Sequence, residues 1–164
     1  MSSVFAKFDP DIAGQSTAKG FEKQVTIENF STSASNTPVN NTANGNRTSG
    51  KPSLGTISVS RQSDSASPMI QQGCTNGTPY KTVTITTCRT DNSGALTAAY
   101  VVALTDAFIT YYAQSVGPDG VPFETFSLDY AAITNTFNAQ KADGTKAGAI
   151  VTSYDSSTAA KGGS

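Results

Sequence analysis

Two alternating runs on either side of a turn constrain this chain more than any other feature. In "YKTVTITTCRTDNSGALTAAYVVAL", Val83 and Ile85 alternate with Thr82, Thr84, Thr86 and Cys88. The cluster from Arg89 to Gly94 has the composition of a turn, and Leu96, Ala98, Tyr100, Val102 and Leu104 then mark one face of a second run. A period of two belongs to a strand with one dry face, and β-branched residues suit its pleat. The second run's other face, Thr97, Ala99, Val101 and Ala103, is weakly apolar as well, which predicts a central strand covered on both sides.

The same period recurs along the chain. Val4, Ala6 and Phe8 share a face; Val25 and Ile27 begin another strand, whose phase slips across Glu28 and Asn29 to Phe30, as at a bulge. Ile57 and Val59 mark a further strand. Small and aromatic residues alternate from Ala107 to Val116, and "GPDG" at 117–120 supplies a turn. Phe126, Leu128, Tyr130 and Ala132 then hold one phase and Ile133, Asn135 and Phe137 the other, which predicts a second bulge near 131–133. The last strand is expected over about 149–154, followed by a flexible tail at 156–164. Long bulged strands bend, so the expected fold is all-β with one short α-helix: a curved two-sheet β-barrel or sandwich in a single domain spanning 1–164.

The helix is expected within "SDSASPMIQQGCTNG", where Ser65 or Ser67 can cap, Pro68 suits the first turn, and Gly73 or Gly77 ends it. Met69, Ile70, Gly73 and Cys74 fall on one face, which is expected to seal an open side of the sheets. By contrast "SNTPVNNTANGNRTSGKPS", residues 35–53, has no apolar pattern, an Asn44-Gly45 pair and two prolines. It reads as a long polar loop and, at that length, as the first candidate for a contact between subunits, with Val39, Asn40, Asn41, Asn44 and Arg47 as its contact residues.

Chemistry is sparse. The chain has no histidine, which removes Ser-His-Asp and Cys-His catalysis and histidine metal sites within one chain. Its 11 basic and 12 acidic residues form no basic stripe, so nucleic acid is not an expected partner. The N-terminus "MSSVFAKFDPD" shows no signal-peptide pattern and no run approaches a membrane span, so cytoplasmic folding without membrane insertion is expected. That setting favours buried free thiols over a disulfide for Cys74 and Cys88. The segment "KADGTKAG" places Lys141, Asp143, Gly144, Lys146 and Gly148 together, yet lacks the phosphate-loop spacing and has too few carboxylates for calcium. It reads as a hairpin turn, and no catalytic, cofactor or metal site is expected anywhere.

The order "FAKFDPDIAGQST", "EKQVTIENFS", a long polar segment, "GKPSLGTISVSR", "SASPMIQQGCTNG", "YKTVTITTCR", "AYVVALTDAFITYYAQSV" and "ETFSLDYAAITNTFNAQKADGTKAG" resembles the haemolysin-coregulated protein family, Hcp. The resemblance runs from Val4 to Tyr154 and is most specific at Phe126, Leu128, Tyr130, Ala131 and Phe137 and in the Gln140-x-x-x-Gly144-x-x-x-Gly148 turn. It implies a non-enzymatic subunit of the type VI secretion tube, without cofactors, six copies of which close into a ring that stacks into a hollow tube. The implied partners are further copies of the chain, a contractile sheath, a VgrG-type spike and effector cargo. The implied route is assembly in the bacterial cytoplasm and secretion through the apparatus without a cleaved signal peptide. An alternative within the family is a carrier or chaperone ring that binds an effector in its lumen. In either case the exposed Lys141, Asp143 and Lys146 turn is a candidate contact with neighbouring subunits or the sheath, and the 35–53 segment a candidate link between rings.

Overall fold

A computed structural model describes residues 3–157 and 160–163. One antiparallel sheet runs in the order β2 (Val25–Ile27), β1 (Val4–Asp9), β9 (Tyr80–Thr90), β10 (Leu96–Val116), β12 (Ala132–Gln140), β13 (Lys146–Asp155) and β14 (Ala160–Gly163). A smaller sheet is formed by the second half of β10 with β11 (Pro122–Asp129), β8 (Ile57–Gln62) and β3 (Asn29–Ser31). The two sheets pack as a sandwich and do not close into a barrel, because β12, β13 and β14 continue the larger sheet past β10.

The two runs at 96–104 and 107–116 belong to one 21-residue strand that serves both sheets. Up to Ala107 it pairs with β9, and from Phe108 onward with β11; Asp106, at φ 51°, turns the backbone between the two. The return path bends at the same place. Tyr130 and Ala131 break the path between β11 and β12, and the Ala131 N–H donates to the Thr105 carbonyl at 3.0 Å. The phase change expected there as a bulge is therefore a passage from one sheet to the other. Glu28 marks a second such passage: β2 pairs with β1, whereas β3 pairs with β8. A bulge does occur in β10 between Ala98 and Tyr100, so Leu96 and Ala98 lie on the opposite face from Tyr100, Val102 and Leu104 rather than on the same one.

The core lies between the sheets. Phe8, Val25, Ile27, Val83, Ile85, Val102 and Leu104 of the larger sheet meet Ile57, Val59, Ile109, Phe126 and Leu128 of the smaller one, all nearly inaccessible. Each such side chain stabilises the fold by about 1.5–3 kcal/mol through removal of apolar surface from water. Phe8 lies edge-on to Tyr80 at 5.2 Å between ring centroids.

The helix α1 (Ser67–Thr75) packs against β10 through Ile70 and Gly73; Met69 is exposed and Cys74 only partly covered. Its cap differs from the expected serine. The Ncap is Ala66 with no side-chain bond, Ser67 lies inside the first turn with its Oγ accepting from the Asp64 N–H, and Asp64 Oδ1 accepts from the Ala66 N–H. Gly77, at φ 61°, follows the Asn76 C-cap as expected. Both cysteines are free, and burial pushes the Cys88 thiol pKa up. The C-terminal residues expected as a flexible tail include a strand, since β14 pairs antiparallel with β13 over Thr152 to Asp155; residues 158, 159 and 164 lie outside the described ones.

Candidate assembly surfaces

The polar 35–53 segment is not a structureless loop. It forms a two-stranded arm in two short ladders, β4 (Ala34–Asn36) with β7 (Pro52–Leu54) and β5 (Val39–Asn41) with β6 (Asn46–Thr48). At the tip the Gly45 N–H donates to the Asn41 carbonyl at 2.9 Å, and the φ of Gly45 is 70°. The side-chain oxygens of Asn41 and Asn44 accept from the N–H groups of Ala43 and Asn46. Asparagine is frequent here because its side chain can satisfy turn backbone that water alone would otherwise solvate. Asn40 and Arg47 stand opposite each other, and Arg47 Nε donates to Asn40 Oδ1 at 2.8 Å.

Of the five residues expected to make contacts here, Asn41 and Asn44 thus build the turn, Asn40 and Arg47 brace the ribbon, and Val39 stands 57% exposed. The root is firmer. Gly55 N–H donates to the Ser33 carbonyl, and the Tyr130 hydroxyl donates to the Gly55 carbonyl, both at 2.9 Å. An exposed two-stranded ribbon is marginal on its own in water, so this arm gains from a surface to lie on.

The hairpin turn at Lys141 is confirmed as a turn, with Gly144 at φ 86° and its N–H donating to the Lys141 carbonyl. The spacing of Gln140 and Gly144 has a local cause: Gln140 Nε2 donates to the Gly144 carbonyl at 2.7 Å. Asp143 is not simply offered to solvent, because its Oδ1 accepts from both the N–H and the hydroxyl of Thr145, which holds its pKa below the usual range. A twin lies alongside. Asp91 Oδ1 accepts from the Ser93 hydroxyl and from the Ser93 and Ala95 N–H groups, again lowering the carboxyl pKa, and Asn92 Nδ2 donates to the Asp143 carbonyl to join the two turns. Lys141 and Lys146 are exposed at this end of the larger sheet.

Two features escaped the reading by pattern. The first is a buried ion-pair cluster at one end of the sandwich: Arg61 Nη1 contacts Glu124, Nη2 lies 2.5 Å from Asp64, and Nε donates to the Thr26 carbonyl at 2.7 Å. Glu124 also accepts from the Tyr112 hydroxyl at 2.7 Å. The second is an open cleft of about 920 Å³ lined by Gln15, Ser16, Thr17, Glu28, Arg61, Gln62 and Leu96 among others. The 10–24 segment that supplies Gln15 to Thr17 is held by the Gly14 N–H on the Lys23 carbonyl, the Lys23 N–H on the Ser16 carbonyl, and Phe21 stacked on Phe5 at 4.9 Å.

Among the described residues no group of three or more Cys, Asp and Glu side chains could hold a metal ion. Residues 5–137 match a family model described as type VI secretion system effector, Hcp. Among solved structures, a type six secretion system protein is similar with a TM-score of 0.89 at 21% identity, over 99% of this chain and 100% of that one. Hcp1 from Salmonella typhimurium is similar with a TM-score of 0.77 at 18% identity, over 96% and 97%. A type VI secretion system effector from Yersinia pestis gives 0.72 at 19%, over 93% and 98%. No curated protein matches the chain.

Proposed function

The chain belongs to the Hcp family of type VI secretion proteins, and from that premise we propose that it is the repeating subunit of the secretion tube. Six copies close into a ring through two different patches of each protomer, and rings stack into a hollow tube. The whole chain acts as one tube-forming domain and performs no catalysis. The tube is assembled in the cytoplasm, wrapped by a contractile sheath, capped by a VgrG-type spike and expelled.

The observation that carries this reading is the arm. Residues 34–49 are all exposed, yet the ribbon is internally braced at its tip and anchored at its root. A braced, unpartnered projection is suited to reach a neighbouring ring. Negative-stain microscopy and native mass spectrometry of the purified protein test the proposal: rings with a central hole support it, and a compact monomer at high concentration overturns it. Deleting residues 39–47 should spare the ring and abolish tubes, while normal tubes from that deletion would remove the arm from the link between rings.

A second reading, a carrier ring holding an effector in its lumen, is favoured by the larger sheet's outer face. Thr84, Val101, Ala103, Thr134, Thr136 and Val151 lie there side by side, half-buried and uncharged, a surface that polypeptide can contact without strong electrostatic selection. Co-purification of an effector that protects this face from hydrogen exchange would favour the carrier; an empty ring that still forms tubes favours the tube.

A further inference from the structure

Two hairpins separate at one end of the larger sheet. The ladder between β10 and β12 runs from Thr105 opposite Ala132 to Tyr100 opposite Phe137 and stops there. Beyond it each strand continues with its own hairpin partner, Thr97 with Arg89 of β9 and Asn138 with Ala149 of β13, so the sheet splits into two fingers. Side chains span the split where backbone pairing has ended. Asn138 Nδ2 donates to the Ala98 carbonyl at 3.0 Å, Arg89 Nη2 to the Asn138 carbonyl, and Asn92 Nδ2 to the Asp143 carbonyl. Between the fingers lies a gap of about 410 Å³, to which one contributes Arg89, Asn92 and Thr97 and the other Gln140, Thr145 and Lys146.

Arg89 is left incomplete in this gap. Its Nε is out of reach of solvent and has no acceptor, and no carboxylate among the described residues lies within ion-pair distance of its guanidinium. Covering a charge without a counter-ion costs free energy that a single bond to a carbonyl does not restore. The carboxylate that lines the gap, Asp91, is turned into its own hairpin by three bonds to Oδ1. The hydroxyl hydrogens of Ser93, Thr97 and Thr145 are committed to Asp91, the Arg89 carbonyl and Asp143. Lys146, by contrast, is exposed, and the amides of Asn92 and Gln140 each keep a second N–H beyond the bond they make. Two cations face one carboxylate, while Lys141 and Asp143 on the adjoining turn offset each other. What the gap lacks is an acceptor that carries negative charge.

The geometry points to a binding site for a single oxyanion, a phosphate or carboxylate group, held between the fingers by the Arg89 guanidinium and the Lys146 ammonium. Such a group supplies the charge that the guanidinium lacks, and rotation of the guanidinium toward it gives Nε an acceptor as well. The planar fork of an arginine matches either oxyanion with two parallel bonds. Because the contacts come from both hairpins, occupancy ties the fingers together where their ladder has ended. The site is independent of the tube reading, since every group in it belongs to one copy of the chain.

Titration of the whole protein with inorganic phosphate and, separately, with acetate tests the assignment, with sodium chloride at equal ionic strength as the reference. In arginine-labelled protein the Nε–H resonance of Arg89 should move along a saturable curve with one or both oxyanions. Those of Arg47 and Arg61 should stay in place, because their Nε groups already donate to Asn40 Oδ1 and the Thr26 carbonyl. A response to both oxyanions assigns the site to the class, and a response to one names the group bound. Arg89→Gln should abolish binding measured by calorimetry. Lys146→Gln, at an exposed position where folding is not at stake, should weaken it by about tenfold, as loss of one charge-assisted bond does. Lys81→Gln, at an exposed lysine near the other end of β9, should leave it unchanged. A shift that chloride reproduces, a titration that does not saturate, or equal affinity in Lys146→Gln and the unaltered protein would overturn the assignment and leave water as the partner of the guanidinium.

Discussion

Arg61 and Glu124 stand directly opposite each other in the register of β8 and β11, each 1% exposed, at the end of a row that elsewhere is apolar. Val59 and Ile57 precede Arg61 on the same face, and Phe126 and Leu128 follow Glu124. Two charges at core positions are tolerated because each finds several partners: Asp64 and the Thr26 carbonyl for the guanidinium, the Tyr112 hydroxyl for the carboxylate. A buried pair is costly to break and need not be stabilising as a whole. Arg61→Met is therefore expected to lower unfolding free energy by about 3–5 kcal/mol, because it leaves Glu124 buried without its cation. Arg61→Met with Glu124→Leu should lose markedly less than Arg61→Met alone, because no buried carboxylate is then left without its cation. Urea unfolding of the two variants checks both; equal losses would show that the pair itself, and not the orphaned charge, matters.

The same cluster sets an alkaline limit. Burial, then the hydrogen bond to Glu124 and that carboxylate's charge, push the Tyr112 pKa up to about 12, against a smaller lowering by Arg61. Tyr80 and Tyr130 are raised too, chiefly by burial. A group whose folded pKa is raised contributes stability that is complete below the unfolded value, about 10 for tyrosine, and is lost as pH climbs toward the folded value. Thermal stability should hold up to about pH 10 and decline from there to about 12 as Tyr112 ionises. Tyr112→Phe should flatten part of that decline. An unchanged slope in the variant would show that other groups govern it.

The strands were legible wherever one face is dry and the other wet, as along Val83 and Ile85 or Val102 and Leu104. The arm was not, since both faces of β5 and β6 are exposed and no contrast remains in the sequence to mark them as strands. A passage between sheets at Tyr130 and Ala131 and a true bulge at Ala98 shift the hydrophobic phase alike, so pattern alone does not separate them. Arg61 and Glu124 were invisible as a pair because they lie 63 positions apart and a charge in alternation ordinarily marks the wet face. The resemblance to Hcp, by contrast, was carried by the order of the elements and most specifically by Phe126 to Phe137 and the Gln140 to Gly148 turn, in which Gln140 and Gly144 act locally on one another.

The exposed lysines of that turn are expected to serve assembly rather than folding. Neither Lys141 nor Lys146 side chain takes part in the bonds that build the turn, which run through Gln140, Asp143, Thr145 and Asn92. Lys141→Glu with Lys146→Glu should therefore leave thermal unfolding within about 0.5 kcal/mol of the original. It should reduce ring yield, tube yield or sheath binding in proportion to the contact these cations make, and more so at low salt. Unchanged values of all three would leave the turn with a structural role only.

The junction of the two turns can be dissected in the same way. Gly144 adopts φ 86°, and a methyl group placed there would lie 2.3 Å from Asn92 Nδ2. Gly144→Ala thus carries two separate penalties, a left-handed backbone costing an alanine about 1–2 kcal/mol and a collision that expels the Asn92 amide from the Asp143 carbonyl. Asn92→Ala removes the collision but not the backbone strain. In a double-mutant cycle the two substitutions should be less than additive, with a coupling of about 0.5–1 kcal/mol, and the remaining loss in the double variant should reflect the backbone alone. Strict additivity would mean that Asn92 moves aside at no cost and that the joint between the turns adds nothing to stability.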